Sequence, residues 1–243
     1  MPAFAVYYVP PEDSELYEAG SQIIGYDVYA GKLLPIENEA RSHFQYFDPE
    51  WGVVPQEFGL HITIGHALDY EEGRLPEIEA ELESILNLFD SSKPFTLVPD
   101  NNYLPMWGGT HATAYYQANQ AFMMFHAMVI ARIHPFGVTT PMHTAIQNGE
   151  FPYDLPLAQQ HQVEQYLHSY ILEDWHPHFG LLRPFAEEHR DKIRRGILEA
   201  LPLRCALNVD TICLLVKPDG EPRFHVHRQF HRAKYPKPLV AKG

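Results

Sequence analysis

The chain's 243 residues are 45% apolar and 13% aromatic, enough to fill the core of one large domain or two small lobes. No run approaches the ~20 apolar residues of a membrane span, and the opening MPAFAVYYVPPEDSEL lacks the basic start and apolar length of a secretory signal, so a soluble, cytoplasmic protein with no membrane partner is expected. A net charge of −13 disfavours a long nucleic acid, whose affinity comes chiefly from Lys and Arg displacing counterions.

Residues 4–9, FAVYYV, form a β-branched and aromatic run closed by Pro10-Pro11, which predicts a buried strand. A polar, proline-containing stretch follows over about 12–57, with one short helical pattern at 16–24. LHITIGHAL (60–68) is the next predicted strand. After Gly73, apolar residues at 78, 82, 85 and 86 follow helical spacing behind Pro76 and a run of acids, so a helix is predicted there. FTLV (95–98) and HATAYYQ (111–117) read as strands, and a second helix spans about 119–133.

The order of elements then repeats. A Pro- and Gly-rich connection (134–156) leads to a helix at about 157–172, then to the strand WHPHFGLL (175–182) and a helix over 187–201 with Ile193, Ile197, Leu198 and Leu201 on one face. LNVDTICLLV and RFHVHRQF flank KPDGEP, whose Asp219-Gly220 suits a tight hairpin turn. Each half thus holds a histidine-bearing strand, an amphipathic helix and two further strands, with LHITIG weakly similar to WHPHFG. The expected fold is α+β, a two-lobed pseudo-symmetric domain in which each lobe is an antiparallel sheet with helices on its outer face. The first-motif lobe would take about residues 1–135, the second about 136–231, and 232–243 would be a loose tail.

Strand alternation sets His61, Thr63 and Gly65 on one face and Leu60, Ile62 and Ile64 on the other. In the second segment His176, His178 and Gly180 share a face. An H-x-T pair places an imidazole and a hydroxyl roughly 7 Å apart along one strand face. The hydroxyl can hold a phosphoryl oxygen while the imidazole moves a proton. Two facing imidazoles suit phosphodiester chemistry, one deprotonating the attacking oxygen and the other protonating the leaving one, near the ordinary histidine pKa of ~6.5.

EFGLHITIGHAL, in its strand–helix–strand–strand setting, resembles the first half of the 2H phosphoesterase superfamily, and the opening FAVYYVPPEDSELYEAGSQIIGYDVYAG resembles a subgroup described as phosphonate-operon-associated proteins. The resemblance implies two H-x-[ST] motifs in a central cleft and metal-independent reactions on phosphodiesters, 2',3'-cyclic phosphates among them, with no cofactor. The second motif departs from that pattern in one of two registers. In the first, His178 is the motif histidine and Gly180 replaces the hydroxyl residue; in the second, His176 corresponds to His61 and His178 takes the place of Thr63. Pro177 before His178 and Leu-Leu-Arg after it favour the first, and His178 lines the site in both. A missing hydroxyl removes a hydrogen bond worth about 0.5–1.5 kcal/mol. Backbone at Gly180 or the side chain of Arg183 would have to replace it, and Arg183 lies on the opposite face from His178 unless the strand ends there.

The expected function is therefore a metal-independent cyclic phosphodiesterase or related phosphoesterase, with His61 and His178 as the acid–base pair and Thr63, His176, Gly180 and Arg183 binding substrate. Charge is uneven: residues 1–182 hold 5 Lys/Arg against 24 Asp/Glu, and 183–243 hold 13 against 7, or −19 and +6. A local positive field suits a small anionic phosphodiester or nucleotide. Two other classes remain, a non-catalytic nucleotide- or phosphate-binding protein of the same fold and a metalloenzyme using His225, His227 and His231 or His176 and His178. Tyr7, Tyr115 and Tyr153 are candidates for stacking on a base. Cys205 and Cys213 form no metal or redox spacing and are expected to be reduced.

Overall fold

The computed structural model describes residues 1–232 except 91, 102, 103, 105, 108, 109 and 151–153, and the backbone alone at 106 and 107. Tyr153 and the expected tail from 233 onward lie outside the described residues.

The first apolar run forms β1 (Ala3–Tyr8), buried at all six positions. Helix α1 (Glu15–Ile24) starts at Ser14, whose hydroxyl accepts the Tyr17 N–H at 3.2 Å, and stops at Gly25 in the left-handed region, φ 87°. The polar stretch read from sequence as largely irregular also carries the short hairpin β2 (Tyr26–Asp27) and β3 (Lys32–Leu33) and the single turn α2 (Glu39–Ser42). Strand β4 (Ile62–Tyr70) precedes α3 (Leu75–Leu86), which buries Ile78, Leu82, Ile85 and Leu86, the four positions its periodicity assigns. Strands β5 (Phe95–Pro99), β6 (Met106–Trp107) and β7 (His111–Ala118) lead to α4 (Gln120–Ile133), opened by an Asn119 side chain that accepts the Phe122 N–H. The proline-rich connection contains β8 (Gly137–Thr139) and α5 (Pro141–Gln147), capped by Thr140. Then come α6 (Leu157–Tyr166), β9 (His178–Leu182), α7 (Arg190–Ala200), β10 (Leu207–Val209), β11 (Thr211–Lys217) and β12 (His225–His231).

Among the described residues ten strands form one antiparallel sheet, with the path β10-β5-β7-β9-β4-β1-β11-β12 and with β6 and β8 attached to β7 and β4. The two central strands, β4 and β9, touch through one register pair, Ile62 opposite Phe179. The sheet does not divide at residue 135. β5 and β7, from the first half of the chain, flank β9, while β11 and β12, from its end, flank β1 and β4. LNVDTICLLV, read as one strand, is broken at Asp210: β10 joins β5 at one edge and β11 joins β1 on the other side.

Helices α1 and α4 cover the same face of the central strands. A Cβ on Gly20 of α1 would lie 2.5 Å from Leu60 Cδ2, and one on Gly65 of β4 would lie 2.9 Å from Val129 Cγ1 of α4. Leu60, Ile62 and Ile64 are fully buried beneath these helices. Burying each such side chain contributes on the order of 1.5–3 kcal/mol.

The helical layer also holds two imidazoles, His126 at 0% and His134 at 2% exposure. Burial pushes the first down to about 3 and the second to about 4. Between those values and the ordinary ~6.5 the unfolded chain binds protons that the folded chain refuses, so stability rises with pH across that window. Stability should be constant above about pH 7 and fall as pH drops from 6.5 towards 4, by ~1.4 kcal/mol for each pKa unit of depression. Denaturant midpoints measured from pH 8 to pH 4 test this; a flat profile through pH 4 contradicts it.

Candidate active site

The sheet face opposite α1 and α4 opens into a cavity of about 1300 Å3 whose wall includes His61, Thr63, His176, His178, Gly180 and Arg183. All six residues singled out in the sequence therefore lie at one site. Carrying the Ile62–Phe179 register one residue either way sets His61 opposite Gly180 and Thr63 opposite His178. The imidazoles occupy a diagonal position across the strand pair, a spacing of roughly 7 Å.

The two rings are held alike. His61 Nδ1 is 2.9 Å from the Gly59 carbonyl, and His178 Nδ1 is 2.6 Å from the His176 carbonyl, in each case the residue two positions earlier. A carbonyl only accepts, so Nδ1–H donates, and in the neutral ring Nε2 keeps its lone pair. Neither Nε2 has a hydrogen-bond partner among the described residues.

Each ring also has a tyrosine beside it. Tyr7, paired with Thr63 across the β1–β4 ladder, stacks on His61 with centroids 3.9 Å apart and planes at 14°. Tyr115, paired with His178 across β7–β9, lies 5.0 Å from that imidazole at 31°. Tyr7 is 3% exposed, so it backs His61 instead of offering a free face to a base. The sequence carried a signal for this arrangement in the tyrosine pairs of the two neighbouring strands, Tyr7-Tyr8 and Tyr115-Tyr116. The second tyrosine of each pair packs near Phe179, the hydrophobic partner of Ile62.

Burial pushes His61 down to about 4, helped by the nearby His178 and Arg183 and opposed by the Gly59 carbonyl. His178 is lowered by burial first, then by Arg183 and His176, against the pull of the His176 carbonyl. Both imidazoles are thus biased neutral by the same two causes, desolvation and one guanidinium. Strand β9 ends at Leu182, so Arg183 leaves the alternation: its N–H donates to the Trp51 carbonyl at 2.8 Å and its side chain reaches the cavity. Lys217 also lines the cavity but is paired at 2.7 Å with Glu57.

Two expectations about faces change. Gly65 does not share the face of His61 and Thr63, because the β1–β4 register shifts between Tyr7–Thr63 and Val6–Gly65 and turns Gly65 towards α4. His66, unassigned from sequence, joins the cavity wall and stacks on His168 at 3.4 Å. His176 lies before β9 and contributes its carbonyl to His178 while its exposed ring borders the cavity. The histidines of β12 disperse, with His227 on Glu79 at 2.8 Å and His231 on Thr211 at 3.0 Å. Among the described residues no three His, Cys, Asp or Glu side chains are grouped to hold a metal ion.

A Cβ built on Gly180 meets nothing within 4 Å, and its backbone needs no positive φ. A β-branched residue fits a strand better than glycine, so Gly180→Thr should stabilise the fold by about 0.5–1 kcal/mol. Chemical denaturation of the variant checks this; destabilisation would mean that the space is filled.

Comparison with family models and with curated proteins gave no match. Among solved structures the chain is similar to a phosphoesterase at 15% identity, with 95% of this chain and 98% of that one covered and a TM-score of 0.42. It is similar to E. coli LigT complexed with 3'-AMP at 16% identity, with 96% and 100% covered and a TM-score of 0.41. Kluyveromyces marxianus Usb1 is similar at 7% identity, with 95% and 97% covered and a TM-score of 0.39. Likenesses this loose bear on neither substrate nor residue roles.

Proposed function

We propose that the protein is a metal-independent phosphodiesterase acting on a small cyclic or linear phosphodiester by acid–base catalysis between His61 and His178. The observation that carries this reading is the matched pair of imidazoles, each with Nδ1 tied to the carbonyl two residues before it and Nε2 unpartnered beside one cavity. For hydrolysis, the neutral ring takes a proton from water as its oxygen bonds to phosphorus. The protonated ring gives its proton to the alcohol oxygen as the old P–O bond breaks. The products are a phosphomonoester and an alcohol group, and solvent restores the two protonation states.

Arg183 supplies the positive charge for the non-bridging oxygens, a role that Lys217 fills less well because Glu57 neutralises it. Thr63 lines the same cavity, where its hydroxyl can donate to a phosphoryl oxygen. No second hydroxyl stands at Gly180, and the guanidinium compensates for it. The local charge selects one phosphodiester group, in keeping with a small nucleotide-like or sugar ligand.

Turnover of 2',3'-cyclic nucleotides and small linear diesters should survive EDTA, fall on the order of 10²–10⁴-fold in both His61→Ala and His178→Ala, and rise about 2- to 10-fold in Gly180→Thr. Equal activity in the histidine variants, or none in the wild type across the panel, overturns the proposal.

The pH dependence follows from the same geometry. One ring must be neutral and the other protonated, and both are lowered in the free protein. The bell for kcat/KM should therefore peak below pH 6.5. A bound phosphate anion favours the protonated rings, so the kcat bell should lie at higher pH. Steady-state profiles from pH 4 to pH 9 test this, and a kcat/KM maximum above pH 7.5 would contradict it.

A further inference from the structure

The shifts in the β1–β4 register leave β4 irregular over the residues that adjoin the site. Backbone groups there need partners from outside the ladder. Trp175 Nε1–H donates to the Thr63 carbonyl at 2.8 Å, His126 Nδ1 lies 2.7 Å from the Ile64 carbonyl, and the His66 N–H donates to His134 Nε2 at 3.2 Å.

The other nitrogen of each buried imidazole faces the connection that leads into the second histidine motif. His126 Nε2 accepts the Leu172 N–H at 3.0 Å, and His134 Nδ1 lies 2.7 Å from the Tyr166 carbonyl. A ring that donates from Nδ1 and accepts at Nε2 is the neutral Nδ1–H tautomer, so both are fixed by backbone at both ends. His126 further stacks on Trp175, with centroids 4.1 Å apart and planes at 7°.

The bridged connection is itself strained. Leu167 and Leu172 have φ of 65° and 54°, in the left-handed region that favours glycine, and they sit next to Tyr166 and at the residue held by His126. Sequence patterning extended the preceding helix to about 172, but α6 ends at Tyr166, where the connection turns. Nothing intrinsic to leucine favours these angles, and the bridges hold the segment in place.

We infer that His126, His134 and Trp175 are positioning residues: they tie the strand carrying His61 and Thr63 to the segment carrying His176 and His178, and so set the two reacting imidazoles in one frame. The inference rests on the reading of His61 and His178 as the reacting pair. His126 and Trp175 act through Thr63, Ile64 and Leu172 backbone, and His126 is fully buried and absent from the cavity wall.

The test combines imidazole ¹⁵N NMR with kinetics on the full chain. Wild-type His126 and His134 should show the Nδ1–H tautomer. Trp175→Phe keeps a smaller ring on His126 and removes the donor to Thr63, and should shift the imidazole signals of His61 and His178 and lower kcat on the order of 10- to 100-fold with KM changed less than about 2-fold. His126→Asn, which keeps an amide donor for Ile64, should lose less activity than His126→Leu. If His126→Leu does not fold, Trp175→Phe decides. Nε2–H tautomers, or a folded Trp175→Phe protein of lower melting temperature with wild-type kcat and unmoved His61 and His178 signals, would overturn the inference. Should the wild type turn over no diester, the proposed function fails while the NMR shifts still decide the positioning role.

Discussion

The site depends on one contact between strands. Ile62 and Phe179 are the single register pair joining β4 to β9, and through it the two halves of the sheet become one surface. Strand alternation makes the pair decisive, because a slip of one residue would turn His178 into the core and Phe179 into the cleft. Phe179 is fully buried and lies near both Tyr8 and Tyr116, so hydrophobic packing fixes the register from the helical side.

The electrostatics follow from the same geometry. Two imidazoles set diagonally across adjacent strands, beside one guanidinium, are each disfavoured as cations by burial and by the charge of Arg183. Their Nδ1 atoms are satisfied by carbonyls, and among the described residues neither Nε2 has a partner. Under the proposed function, an anion placed between them would add to the Glu57 charge that already acts on Arg183 and give one ring a reason to protonate. On that reading ligand charge and proton affinity would be coupled, phosphate binding favouring a protonated ring.

Much of this was legible in the sequence where one periodicity held over a whole element. The buried run of β1, the 78/82/85/86 face of α3 and the H-x-T alternation of His61 and Thr63 needed only local physics. Legibility failed where tertiary pairing overrode the pattern. LNVDTICLLV is apolar on both sides of Asp210, and nothing local says that its two parts belong to opposite sides of the sheet. The shifted register in β4 moved Gly65 to α4 and brought His66 to the cavity, and an extra residue in a ladder has no signature in the strand that contains it. Arg183 reached the cleft because β9 stops at Leu182, one residue short of the alternation that would have turned it away. The motifs thus picked out imidazoles that line the cavity, whereas the residues that hold them, Tyr7 and Trp175 among them, depended on long-range pairings.

The two glycines of the motif strands show how differently one residue type can be used. Gly65 is favoured by packing, since a Cβ there would lie 2.9 Å from Val129 Cγ1 on α4 and 3.4 Å from Val6 Cβ. Gly180 has no such neighbour and no unusual backbone angle. Its glycine costs strand stability and gains nothing in the protein's own packing. What it leaves is open volume directly across from His61, on the cavity side of the sheet. Threonine in that place would bring a hydroxyl but would also narrow the space between β9 and the His61 ring. Arg183 is close enough to lower both imidazoles, and under the proposed function its charge would hold an anion there with a hydroxyl adding to it. On the proposed reading, glycine at 180 in place of a hydroxyl residue exchanges a neutral donor for room beside His61, with charge on Arg183 taking over part of the donor's role.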